Sequence, residues 1–127
     1  GTQHGLQGVQ LATTAFVAEI RRAAAPAAMQ SLPTNLHNQD VVPFGTQAAF
    51  TALDQAGLLR YLHAGLAIGL RQAGHVGARR PQAPKLAEVF DRIAGEVPPI
   101  VEDRPLDTAL GRVADVLDAV VSEVEGV

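Results

Sequence analysis

Apolar residues recur along this chain in steps of three and four, the spacing of one face of an α-helix. The first repeat runs through Leu6, Val9, Thr13, Phe16, Val17 and Ile20 and predicts a helix from about Gln7 to Ala25. Arg21 and Arg22 sit near its C-terminal end, where cations suit the helix dipole, and Pro26 stops it. A longer repeat, Ala49, Leu53, Ala56, Leu59, Leu62, Leu66 and Leu70, predicts one helix from Thr46 to about Gly74. At 1.5 Å per residue it would be roughly 45 Å long. Gly57, Gly65 and Gly69 lie inside it, each costing about 1 kcal/mol relative to Ala, so they predict either close approach of another helix or a break near Gly65. A short helix is predicted from Lys85 to Ala94 and a last one from about Pro105, whose fixed φ suits a first turn. Leu106, Leu110, Val113, Leu117, Val120 and Val124 give that last helix a regular packing face. The fold class read from these patterns is all-α, a long-helix bundle.

Between the first two helices the period disappears. Residues 26–45 hold Pro26, Pro33 and Pro43 and the polar run Thr34-Asn35-Leu36-His37-Asn38-Gln39-Asp40. Loops of this length inside a compact fold are usually functional or disordered. Met29, Leu32, Leu36, Val41, Val42 and Phe44 are interleaved with the polar residues, which argues against disorder. The segment is therefore read as an ordered functional loop.

Charge divides the chain unevenly. Residues 1–80 carry six basic and three acidic side chains, whereas residues 81–127 carry four basic and ten acidic ones. A globular surface ordinarily has about a quarter of its residues charged. The first eighty fall well short, so their faces are expected to be covered by other parts of the chain or by other subunits; the plain alternative is an Ala-rich domain with an uncharged surface. Two units follow: core helices over 1–80, including the 26–45 loop, and an acidic helical segment over 81–127.

Several function classes drop out. A formal net charge of −3 gives no basic footprint for nucleic acid. No Cys is present, which excludes disulfides, thiolate metal sites and a thiol nucleophile. The most apolar stretch, Tyr61 to Leu70, is too short to span a membrane and is flanked by Arg60 and Arg71. No secretory leader is visible, so the default location is cytoplasmic. There is no phosphate-binding Gly-rich loop and no nucleophile elbow, and His4, His37, His63 and His75 are scattered, so no metal is expected. What stands out is the amide run Asn35 to Gln39. Each amide can donate and accept, which suits orienting a polar or zwitterionic ligand without adding charge. The same amides could simply satisfy their own backbone and nearby helix ends.

The stretch Ser31-Leu32-Pro33-Thr34-Asn35-Leu36-His37-Asn38-Gln39-Asp40-Val41 resembles a signature region of the aromatic amino-acid ammonia-lyases and aminomutases, the histidine, phenylalanine and tyrosine enzymes built around a methylidene-imidazolone group. The preceding helix from Gly8 to Glu19, the Gly69-Leu70-Arg71 step and the Val97–Leu106 stretch are similar to the same family, so the resemblance covers most of the chain. It implies an all-helical fold, a homotetramer whose sites combine residues of several subunits, and conversion of an aromatic L-amino acid to an α,β-unsaturated acid and ammonia. Gln39 matches a position that is Gln in phenylalanine- and tyrosine-type enzymes and Glu in histidine-type ones. Asn35 matches a position that is Glu in many phenylalanine lyases and Asn in many tyrosine-acting enzymes. The resemblance thus implies tyrosine or phenylalanine ahead of histidine. It makes Gln39 and Asn38 catalytic, and Asn35 and His37 substrate-binding.

The chain also departs from the family. The methylidene-imidazolone forms from an Ala-Ser-Gly triplet, and none occurs here. The family's catalytic tyrosines and carboxylate-binding arginine have no match either, and its chains are several times longer. The resemblance therefore implies a C-terminal portion of such an enzyme, inactive alone. Two alternatives remain open: a fragment of an aromatic amino-acid 2,3-aminomutase, and a non-enzymatic helical assembly module.

Overall fold

In the computed structural model, residues 4–36, 38 and 41–126 are described. Among them lie four α-helices: α1 (Gln7–Arg22), α2 (Gly45–Val76), α3 (Pro84–Glu96) and α4 (Asp107–Glu125). The chain is all-α, as the periodicity predicts. A 3₁₀ turn, Ala27–Gln30, sits inside the segment expected to lack regular structure.

Boundaries moved where local backbone chemistry outweighed the apolar repeat. α1 ends at Arg22, three residues before the expected Ala25, and the Ala23 and Ala24 amides turn back onto the Glu19 and Arg21 carbonyls respectively. α3 starts at Pro84, whose missing N–H costs nothing in a first turn. It ends before Val97, which Pro98 holds extended at φ −125°, ψ 92°. α4 starts at Asp107 rather than Pro105, because Leu106 at φ −121° is not helical. It closes on Gly126 in the left-handed conformation (φ 69°).

α2 runs unbroken through Gly65, so the break considered there does not occur. A Cβ on Gly65 would lie 2.6 Å from Thr13 Cγ2 and 3.3 Å from Val9 Cγ1 of α1. Gly65 is therefore the close approach that the glycines predicted, while Gly57 and Gly69 have open space around them.

The side of α2 that the chain buries is not the predicted leucine stripe. Ala64, Gly65, Ile68 and Arg71 are buried, and Leu53, Leu59, Leu66 and Leu70 are all exposed. At 100° per residue, Leu59, Leu66 and Leu70 lie across the helix from Ala64 and Ile68. The helix is apolar on both sides, and the chain's own helices pack on the small-residue side, where close approach is possible. The core is correspondingly small: Ala64 and Ile68 of α2, Ile93 of α3, Val97, and Ala109, Val113 and Ala114 of α4, with Leu6 alone packed against it from the start of α1.

Polar clamps fix the frame around that core. The Gln72 side-chain amide donates to the Ile100 carbonyl and accepts the Ile100 N–H, both at 3.0 Å. Arg60 of α2 spans Asp115 and Asp118 of α4. The Asp103 carboxylate accepts the N–H groups of His4 and Gly5, each at 2.7 Å, and ties the turn before α4 to the start of α1. Those two amides hold the Asp103 carboxyl below the usual aspartate range.

The accessible surface is 9030 Å². A compact folded monomer of 13.3 kDa would expose about 6,500 Å². The excess is of the order of a large, obligate protein interface.

Candidate active-site loop

The loop between α1 and α2 is pinched at its base, where the Val42 N–H donates to the Leu32 carbonyl at 3.3 Å. At its tip Asn35 and Leu36 are consecutive left-handed residues, φ 54° and 55°. Asn tolerates this region through local side-chain hydrogen bonding, but Leu does not adopt it readily. The Asn38 N–H donates to the Asn35 carbonyl at 2.9 Å and closes the turn. Leu36 is 99% exposed. Residues held in such sparsely populated backbone regions cluster at functional segments.

Of the four residues singled out in the sequence, Asn35 and Asn38 are brought together by that turn, and both are exposed. His37 and Gln39 lie outside the described residues. No partner for either asparagine side chain occurs among the described residues, which leaves their amides available to a ligand or to another segment.

Beneath the loop's two ends lies an open cleft of about 630 Å³ that the sequence reading missed. Gln30 and Phe44 contribute from the loop's flanks, and Gln47, Thr51, Asp54 and Gln55 from the first turns of α2. Gln55 donates to the Ile20 carbonyl at 3.0 Å and fixes the width of the cleft. Glu19 and Arg22 form an ion pair on its α1 side, and Arg22 holds the Glu19 carboxyl below its usual range. The readable signal was the four-residue spacing of Gln47, Thr51 and Gln55, a polar stripe on an otherwise apolar helix.

This arrangement offers hydrogen-bond donors and acceptors along an open cleft. Among the described residues no group of three His, Asp or Glu side chains could hold a metal. A methylidene-imidazolone does not fit the residues present: no Ala-Ser-Gly triplet occurs in these 127 residues to form it, and the described loop amides, Asn35 and Asn38, face solvent.

The family model described as "Aromatic amino acid lyase" matches residues 1–95. The chain belongs to the aromatic amino acid lyase family. It is 33% identical over 117 residues, 90% of its length, to a tyrosine ammonia-lyase of Cereibacter sphaeroides, of which it covers 22%. It is 31% identical over 102 residues, 80% of its length, to a tyrosine 2,3-aminomutase of Chondromyces crocatus, of which it covers 19%. Its fold is similar to the crystal structure of a tyrosine aminomutase from Streptomyces globisporus, with a TM-score of 0.84, 30% identity, and coverage of 95% of this chain and 23% of that one. This lyase-family chain thus spans about a fifth of the length of the curated relatives it matches. Among its described residues no helix is long and apolar enough to cross a membrane.

Proposed function

We propose that this chain is the loop-bearing C-terminal portion of an aromatic amino-acid ammonia-lyase or 2,3-aminomutase acting in the cytoplasm, with tyrosine or phenylalanine preferred to histidine. The observation that carries the reading is the left-handed pair Asn35 and Leu36 in the amide-rich loop, inside the segment that the family model matches. Relatives named for tyrosine support the substrate class.

In this reading Asn35, Asn38 and Gln39 present neutral amides that hold the bound amino acid by paired donation and acceptance, and His37 supports them. Gln39 and Asn38 are the catalytic residues of this reading, and Asn35 and His37 are the substrate-binding ones. A neutral Gln39 favours a carbocyclic ring, whereas a carboxylate there would favour a ring that carries N–H donors. The electrophile is not formed by these residues, so the 127-residue chain by itself deaminates nothing. The excess surface is covered in a homotetramer and by the remainder of the enzyme.

The excess surface also favours a second reading, a non-enzymatic assembly module that uses the same exposed faces. Steady-state kinetics of Gln39→Glu, in the longer polypeptide that carries this segment, separates the two. The enzyme reading predicts at least a roughly tenfold loss in kcat/KM for tyrosine with a smaller loss, or a gain, for histidine. Equal kinetics for both amino acids would contradict a role for Gln39 in the site.

A further inference from the structure

A groove of about 550 Å³ runs between α1, α2 and the start of α4, and no residue of the amide loop lines it. Its walls are Ala12 and Phe16 of α1, Leu58 and Tyr61 of α2, and Leu110 of α4. The Phe16 and Tyr61 rings are 6.1 Å apart at 40°, and Arg60, which does not line the groove, holds Tyr61 with its guanidinium 5.3 Å from the ring centroid. Gly5 and Gly8 leave the α1 side open, and a Cβ on either would meet nothing within 4 Å. The volume is in the range of small-molecule sites, and the lining is that of a slot for a flat ring.

The exposed rim carries charge. Arg104 lines the groove and its guanidinium donates to the Pro98 and Pro99 carbonyls, with no carboxylate ion-paired to it among the described residues although Glu102 and Asp103 lie beside it. The first turn of α4 opens on the same rim without a side-chain cap, so its N–H groups add to the pull on an anion. Asp107 lies on that rim too and would favour a ligand that also carries an ammonium group.

We infer that this groove binds an aryl carboxylate, its ring lying against Phe16, Tyr61 and Leu110 and its carboxylate at Arg104 and the start of α4. Two sources share that chemistry: an aromatic amino acid and the acid left by its deamination. Only the choice of these two leans on the proposed lyase function. Binding by the 127-residue chain, together with no product from the folded longer polypeptide, would leave the groove standing and the lyase reading fallen.

Tyr61 is the sole tyrosine of a chain without tryptophan, so its emission reports on the groove directly. The test is titration of the 127-residue chain with L-phenylalanine, 3-phenylpropanoate and phenethylamine. A saturable change is expected with the two carboxylates, the tighter one identifying the source, and phenethylamine should bind at least about fivefold more weakly. Gly8→Leu has room for its side chain and should abolish the response, with an unchanged far-ultraviolet circular dichroism spectrum. Arg104→Gln should remove the preference over phenethylamine, and Leu70→Gln, outside the groove, should change nothing. No saturable response to either carboxylate, equal binding of phenethylamine, or full binding by folded Gly8→Leu or by Arg104→Gln would overturn the assignment.

Discussion

Arg71 is the residue whose environment the sequence conceals most. Among the described residues six of the nine arginines have a hydrogen-bonding or ionic partner, and Arg21 and Arg79, which have none, are exposed. Arg71 is 8% exposed, and its Nε is sealed without a partner. A buried donor without a partner opposes folding, and an apolar side chain of similar shape is neutral or better. Arg71→Met should therefore leave urea stability unchanged or raise it by about 1 kcal/mol or more. A loss above about 2 kcal/mol would mean that the guanidinium has a partner after all. Asp103 carries the opposite sign of argument. Its carboxyl is held low by the His4 and Gly5 amides, so its contribution is present at neutral pH and fades as pH falls through the ordinary aspartate range, about pH 4, and below. Asp103→Asn should flatten the fall in melting temperature between pH 7 and pH 3. An unchanged acid limb would show that the Asp103 tie is not formed. The turn in the loop was legible from residue types, since Asn35 and Asn38 suit a polar turn. The left-handed Leu36 was not, because no residue preference predicts a leucine at φ 55°.

At the scale of elements, all four helices were legible because their apolar repeats are regular, and the shifts at their ends trace to Pro84, Pro98 and Leu106. Which side of α2 faces inward was not legible. A helix with leucines on one side and Ala64, Gly65 and Ile68 on the other has two apolar faces, and only the partners decide between them. Gly65 and Gly69 test this assignment within one helix. Gly69→Ala should gain up to about 1 kcal/mol from helix propensity, since nothing stands near its Cβ. Gly65→Ala should instead destabilise, by about 1–3 kcal/mol before that gain, because its Cβ meets Thr13. Thr13→Ser removes the clashing methyl and should restore part of the loss. Equal effects at the two glycines in urea unfolding would contradict the α1–α2 contact. The aryl groove lay beyond sequence reading for a similar reason: Phe16, Tyr61 and Leu110 meet only through packing.

For the molecule as a whole, the small core and the accessible surface of 9030 Å² have one physical meaning. Among the described residues sixteen large apolar ones are exposed, including Phe50, Leu53, Leu59, Leu66 and Leu70 along α2. Apolar area on this scale is normally covered. The poverty of charge in residues 1–80 carried that message in the sequence, although it did not say which faces stay open. The covering partners proposed are other copies of the chain and the part of the enzyme that supplies the electrophile. One measurement tests that claim most directly. The 127-residue chain, and a longer polypeptide joining it to an upstream segment bearing Ala-Ser-Gly, are each incubated with tyrosine, phenylalanine and histidine, and the products are resolved by mass. The account predicts an α,β-unsaturated acid or a β-amino acid from tyrosine or phenylalanine with the longer polypeptide, and no product with the chain alone. No product from any amino acid with the folded longer polypeptide, or turnover by the chain alone, would contradict it.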